Sequence, residues 1–587
     1  MAATERHKIA VGTHPSALLL NPSRAELYVA NSDSDSLSVI DVASDQVKRT
    51  LSFAPYPDAR EGSSPNALAL SPDGNTLYVA NAGNNDVAVV HLGEPDTIVG
   101  LIPTAWYPAA LAVALDGQTL YVVNAKGLGS GPNPNGPNPY EREAPPDQFV
   151  GTMMVGTLSM VPIPDADALA AYTQQVMSNN GFDERDQVRI SGKPPEQPIP
   201  RRPGDPSPIK HVIYVIKENR TYDQVLGGLG QGNGDPNLQL FGDESAPNHH
   251  QLARQFVTLD NFFADAEVSA DGWNWSTAAL ANTYLQKNWP QNYGSRGRPY
   301  DFEGGNLATA PSSDPTNAYL WDRLDRAGIS YRNYGFWVFN GMVAATAPQL
   351  VGNTDPNYPG YNLRITDQTR MDEWLSEFQQ LVDADSLPAV ELVRLPNDHT
   401  AGTTPNMPTP RAMMADNDLA LGRMVEAVSH SPYWADTAMF VVEDDAQNGP
   451  DHVDAHRTIA LVISPFTRTG AVDSTRYTTS SVLRTMELIL GLGPMTQFDA
   501  RATPLLNAFS DTADPTPYAA LTPDQPLDEL NALDAPMAAQ SQAMDLSQAD
   551  RAPERALNEA IWQSIRGTAS PMPEPISPTS PSGVDND

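Results

Sequence analysis

The chain contains no cysteine. Disulfide frameworks, a thiol nucleophile and thiolate-held zinc are therefore excluded, and no compartment is singled out. It lacks an apolar run of about 18 residues, the length a bilayer requires, so no membrane span is expected. Its first residues, MAATERHKIAV, lack the charged-then-apolar pattern of a secretory signal. Basic residues are scarce: 36 Lys and Arg stand against 71 Asp and Glu, a net charge of −35. A field of that sign repels nucleic acid and anionic membranes, so no nucleic-acid partner is expected. An anionic substrate would need local positive charge, which a metal ion supplies.

What is present exceeds one domain. Two or three domains are expected from 587 residues, and a hydrophobic fraction of 40% suffices for ordinary cores. Pro (54) and Gly (40) are frequent, but periodic apolar segments recur between them. Many turns and long ordered loops are therefore expected.

Three near-copies open the chain: residues 14–42, 64–92 and 107–127. Their landmark is LYVAN or LYVVN, starting at Leu27, Leu77 and Leu120, so the periods are 50 and 43 residues. Such periods, with several short strands each, predict propeller blades. Within a unit, ALALS, TLYVAN and VAVVHL read as three strands. The units resemble YVTN-type β-propeller repeats. Three copies do not close a ring, so a shortened or degenerate propeller is expected, with residues 149–164 adding part of another blade. The repeats are expected to dock another protein or a ligand.

Residues 165–180 read as a helix, and GKPPEQPIPRRPGDPSP (192–208) as a Pro-rich linker. Beyond it, buried strands alternate with helices: HVIYVI (211–216), VELVRLP, TAMFVV and RTIALVISPF between helical patterns such as 411–431 and 480–492. That alternation predicts an α/β domain. The expected fold class is multidomain, an N-terminal all-β partial β-propeller followed by a C-terminal α/β sandwich. Boundaries are placed at 1–165 for the repeats, 166–208 for the helix and linker, 209–566 for the α/β domain and 567–587 for a disordered tail.

Sites in open α/β sheets gather at the carboxyl ends of strands. Here those ends read Lys217-Glu218-Asn219-Arg220-Thr221, Asn397-Asp398-His399 and EDDAQNGPDHVDAHR (443–457). Only ten His occur in the chain, and His399, His452 and His456 fall in these clusters. Each cluster also has a plain structural reading. Ser269 or Asp271 can cap the helix that begins DGWNWS, and the carboxylates can be solvated. Adjacent carboxylates at a buried strand end repel unless a cation offsets them, and a set of Asp, Glu, His and Asn suits hard or borderline ions.

The segment IKHVIYVIKENRTYDQ (209–224) resembles the opening of the phospholipase C/acid phosphatase-type phosphoesterases of the alkaline phosphatase superfamily. There the first strand ends in Glu-Asn-Arg-Ser/Thr-Phe/Tyr-Asp, and the Glu and Asn bind metal. An Asp-Glu pair, five residues and Asp-His-Val follow later; this chain has Asp444-Asp445, AQNGP and Asp451-His452-Val453. The resemblance covers about 209–495 and implies an alkaline-phosphatase-like fold. It also implies metal ligands Glu218, Asn219, Ser269, Asp444 and Asp445, with Ser269 as catalytic nucleophile forming a phospho-serine. One or two divalent ions are implied, Ca, Mg, Mn or Zn. The implied substrate is a phosphate monoester or small diester. The acid-phosphatase branch carries a His four positions after the nucleophile, where this chain has Trp273. His399 or His250 is the expected substitute. Asp398, His399, His452, His456 and His250 are the expected contacts to a second metal or to phosphate. Relatives are commonly exported, so a secreted or periplasmic location is implied. Ser269-Ala-Asp-Gly-Trp does not fit the C/S-x-P-x-R context of a sulfatase. The alternative is a catalytically impaired propeller-containing surface binding protein.

Overall fold

A computed structural model of the chain describes residues 8–133, 150–182, 198–293, 307–311, 318–344, 346–446, 449–548 and 550–570. The expected tail beyond 570 and residues 192–197 of the Pro-rich linker lie outside the described residues.

The N-terminal region is all-β. Strands β1 (Pro15–Asn21), β2 (Glu26–Asn31), β3 (Ser36–Asp41) and β4 (Gln46–Ser52) form one antiparallel sheet in chain order. Strands β5 (Pro65–Leu70), β6 (Thr76–Asn81), β7 (Asp86–His91) and β8 (Thr97–Pro103) form a second. Strands β9 (Trp106–Val113), β10 (Thr119–Gly127) and β11 (Thr157–Pro162) form a third. The first two units thus hold four strands rather than the expected three. The fourth strands, QVKRTLS and TIVGLIP, lie at sheet edges, and β4 is largely exposed, so it shows no sharp apolar alternation. Residues 157–162 complete the third sheet by pairing with β10 rather than opening another unit.

Repetition has a packing reason. Tyr28, Leu37, Leu77 and Val79 share one core between the first two sheets. Tyr78, Val87, Leu120 and Val122 share another between the second and third. The Asn ending each landmark is buried and donates to the neighbouring strand: Asn31 to Ser38 Oγ at 3.0 Å, Asn81 to Asp86 Oδ1 at 2.8 Å and Asn124 to Ser159 Oγ at 3.0 Å. The helix Ala166–Asn179 follows, capped by Asp165.

The C-terminal region is α/β. After β12 (His211–Lys217) come the short strands β13 (Val257–Leu259) and β14 (Phe262–Phe263), then β15 (Tyr331–Tyr334), β16 (Val338–Phe339) and β17 (Met342–Val343). Strands β18 (Val390–Leu395), β19 (Thr437–Glu443) and β20 (Ala460–Ile463) complete the main sheet, ordered β15-β18-β12-β19-β20. Its first four strands are parallel and β20 is antiparallel. Both faces are covered. Val212, Tyr214 and Ile216 enter one core, while Ile213 and Val215 enter the other. Two buried faces are why these strands read as continuous apolar runs. Among the described residues, no helix is long and apolar enough to cross a membrane.

The two regions touch through polar contacts. Lys126 of β10 ion-pairs with Glu267 at 2.7 Å, and Gln497 donates to Arg60 O at 2.9 Å.

Lys217 ends β12 inside the protein, between Asp398 Oδ2 at 2.7 Å and Glu443 Oε1 at 2.9 Å. Removing one partner of a buried ion set leaves uncompensated charge. Lys217→Met is expected to lower the unfolding free energy by about 3–5 kcal/mol in urea titrations. A loss below about 1 kcal/mol would show that the carboxylates are compensated without it.

Candidate active site

The registers of β12, β18 and β19 bring three strand ends level: Lys217 pairs with Leu395 on one side and with Glu443 on the other. The residues that follow therefore meet at one edge of the sheet. Asn219 adopts φ of 28°, a conformation Asn tolerates better than most residues. Arg220 ties two of the exits together, donating to Asp398 O at 2.8 Å and His399 O at 2.7 Å.

Ser269 arrives from a separate element, as the first residue of the helix Ser269–Ala278. Asp271 performs the capping, since its Oδ1 accepts the Val268 N–H at 3.1 Å. The Ser269 side chain turns instead to the strand ends. Gly272 permits this approach: a Cβ there would stand 2.5 Å from the Asp444 carbonyl oxygen.

Ser269 Oγ lies 3.0 Å from Asp445 Oδ2 and 3.2 Å from Glu218 Oε2, and Asn219 Nδ2 reaches it at 3.4 Å. One hydroxyl proton serves only one of the two carboxylates at a time. Ser269, Glu218 and Asp444 are fully buried. Both Asp444 carboxylate oxygens and Asn219 Oδ1 are buried without a hydrogen-bond partner. Burial, then the charges of Glu218 and Asp445, push the Asp444 carboxyl well above its ordinary range. Burial also raises Glu218, against the lowering effect of Arg394.

The second oxygen of Glu218 is held firmly. Arg394 Nη2 donates to Oε1 at 2.6 Å and Trp273 Nε1 at 3.1 Å, with the Arg394 guanidinium 4.2 Å from the Trp273 ring centre. Trp273 therefore braces Glu218.

The structure brings together Glu218, Asn219, Ser269, Asp444 and Asp445. Asp398 sits beneath them, accepting the Glu218 N–H at 3.2 Å and pairing with Lys217. His399 is buried beside it, with Nδ1 at 2.9 Å from Thr400 O and Nε2 unpartnered; burial holds its pKa down at about 4, so the ring is neutral. The other three histidines make no contact with Ser269. His250 lies between Asp243 and the Val225 carbonyl. His452 bonds Asp223 at 2.6 Å. His456 bonds Ser130 and Asp454, beside a cavity of about 750 Å³ between the two regions.

Two acidic groups have the chemistry for a cation. Ligand atoms of Asp223, Asp451 and His452 fall within 4.8 Å of one another, a spacing that can hold a metal ion. There, however, Arg457 already donates to Asp223 at 2.9 Å and to Asp451 at 2.9 Å and 3.0 Å, so a guanidinium supplies the positive charge. Around Ser269, by contrast, buried oxygens stand without donors, and the all-oxygen set fits a hard divalent ion.

Sequence reasoning missed Lys217, Arg394, Arg457 and Asp550 as parts of these networks. Arg394 and Lys217 carried a usable signal, a cation inside or ending a buried apolar strand. Asp550 carried none: it lies far along the chain, and its carboxylate accepts the Ala270 N–H at 2.7 Å.

Residues 231–493 match the model of the Phosphoesterase family. No curated protein matches the chain. Similar solved structures include a protein in the alkaline phosphatase superfamily from Vibrio parahaemolyticus, 19% identical, covering 50% of this chain and 68% of that one, with a TM-score of 0.35. Hydrazine synthase from Kuenenia stuttgartiensis is 23% identical over 21% of this chain and 33% of that one, with a TM-score of 0.17. A putative 6-phosphogluconolactonase from Bacteroides fragilis is 25% identical over 20% and 34%, with a TM-score of 0.18. The chain thus spans about a third of the length of the last two.

His456 gives the site region a pH signature. Burial opposes its charge, but Asp454 and Glu267 outweigh burial and raise its pKa from 6.5 to about 9. The folded state binds this proton more tightly, so the stability gained is complete below pH 6.5 and is lost as pH rises through 9. Urea titrations from pH 6 to 10 are expected to show stability falling across that window. His456→Gln should flatten the fall, and an unchanged slope would exclude His456 as its source.

Proposed function

We propose that the C-terminal domain is a metal-dependent phosphoesterase that hydrolyses phosphate monoesters or small diesters through a phospho-serine. The observation that carries this reading is the Ser269 hydroxyl set among Glu218, Asn219, Asp444 and Asp445, beside buried oxygens that have no donor. Glu218, Asn219, Ser269, Asp444 and Asp445 are the proposed ligands of a divalent ion. Such an ion lowers the pKa of a bound hydroxyl and neutralises phosphoryl charge.

The remaining chemistry belongs to the protein. Asp445 Oδ2, 3.0 Å from Ser269 Oγ, is positioned to take the serine proton. The serine oxygen forms a bond to phosphorus as the ester oxygen leaves and is protonated from solvent. Water then breaks the phospho-serine bond and releases phosphate from a monoester, or a phosphate monoester from a diester. Asn219 Nδ2 orients the nucleophile, and Arg394 with Trp273 fixes Glu218. Arg394→Met leaves Glu218 as an uncompensated buried charge.

The three N-terminal sheets are proposed as a partial YVTN-type propeller that docks a protein or ligand, with domain boundaries as read from the sequence. Full burial of Ser269 favours a second reading, a catalytically impaired binding protein.

Hydrolysis of p-nitrophenyl phosphate and its bis-ester separates the two readings, on metal-stripped protein with Mg, Ca, Mn or Zn restored. Metal-restored turnover is expected, with kcat reduced at least about a thousandfold in Ser269→Ala. Folded protein inactive with every metal would leave the binding reading.

A further inference from the structure

The repeated sheets build one apolar contact twice and leave both of its halves open. Between the first two sheets, Tyr28 and Ala30 of β2 share a core with Leu77 and Val79 of β6, and Leu68 and Leu70 of β5 pack alongside. Between the second and third, Tyr78 of β6 and Val87 of β7 share a core with Leu120 and Val122 of β10, and Leu111 and Val113 of β9 pack alongside. Each contact thus sets the tyrosine face of one sheet against the leucine face of the next. Strands β1, β5 and β9 lie next to one another along the row.

At the two ends of the row the same positions meet solvent. Tyr28 and Tyr78 are buried, while Tyr121, at the equivalent place in β10, is only half-buried. Ala30 and Ala80 are fully buried, whereas the equivalent Val123 is 43% exposed. Strand β11 sets Met160 opposite Tyr121 and Leu158 opposite Val123, and these are 68% and 58% exposed. At the other end, Leu18 and Leu20 of β1 hold the places of Leu68 and Leu70, yet are 68% and 51% exposed. Leu27 is half-buried where Leu77 and Leu120 are fully buried. The third sheet therefore presents a tyrosine face and the first sheet a leucine face. Terminal repeats that end in water carry polar outer faces, and these do not. Open apolar faces of this kind mark interaction sites.

The contact itself points to its occupant. A partner for both ends must carry both halves of it, and this chain already does. Head-to-tail contacts either grow without limit or close into a ring. Three sheets per chain make six in two copies, within the four to eight that a propeller ring holds. A twofold axis then covers every open face at once.

We propose that two copies of this chain join head to tail, the third sheet of each covering the first sheet of the other, so that a twofold dimer closes a ring of six sheets. The proposal rests on reading the sheets as a partial propeller, and it names the protein that they dock.

The test is the mass of the full chain in solution. Sedimentation equilibrium at about 0.15 M salt, where charge repulsion is screened beyond about 8 Å, is expected to give about twice 63.3 kDa. Leu18→Asp with Leu20→Asp spoils the first-sheet half of the contact, and Val123→Asp with Met160→Asp spoils the third-sheet half. Each double variant is expected to weaken the dimer at least about a hundredfold. Mixing the two should restore the doubled mass, because one contact of the mixed dimer joins two unaltered faces. That restoration also shows that both variants fold. Leu115→Asp, in the turn between β9 and β10, should leave the mass unchanged. A dimer that survives either double variant, a mass that keeps growing with concentration, or variants that fail to pair on mixing overturns the proposal. A wild-type monomer overturns it too, but leaves the partial-propeller reading standing. Electron-microscopic class averages of the dimer should show six blades in a ring. A dimer that both variants abolish but that shows no ring overturns the propeller reading together with the proposal.

Discussion

Carboxylates crowded into a volume without water repel one another, and much of the C-terminal architecture can be understood as an answer to that repulsion. Each answer uses a different cation in a different place. Lys217 lies between Asp398 and Glu443 at the base of the sheet edge. Arg394 holds one side of Glu218. Arg457 holds Asp223 and Asp451. Beside Ser269 both carboxylate oxygens of Asp444 remain buried without a donor, at the place where the sheet register makes three strand ends coincide. The residual field there is what gives the serine its chemistry in the proposed reading.

The same comparison explains why the acidic stretch 443–457 has two jobs. Asp444 and Asp445 face the serine. Asp451 and His452 turn away, into a network with Asp223 and Arg457 that fastens the loop to the helix after β12. A cluster that looks single in sequence is thus split between two networks.

Much of this was legible in the residues, for definite reasons. Strands β12, β18 and β19 were visible because burial on both faces leaves no polar alternation to confuse them. That Glu218, Asn219, Ser269, Asp444 and Asp445 meet was readable from motif blocks at two strand ends and a helix start, where position along the chain nearly determines position in space. The outer strands β4 and β8 were not, since one exposed edge dilutes their pattern. Histidine was a poor guide. His250, His452 and His456 sit near acidic motifs in sequence, yet the direction of each ring is set by turns that composition does not encode. Asp550 required the fold itself, because nothing local marks a loop carboxylate that travels back to a helix start.

The ion pair between Lys126 and Glu267 joins two parts of the molecule close to Ser269. Lys126 lies at the end of β10, and Glu267 precedes Ser269 by two residues. The intervening Val268 is already extended and buried, so it offers little slack. A single ion pair thus anchors the backbone two residues before Ser269 to the end of β10, with one extended residue between anchor and hydroxyl.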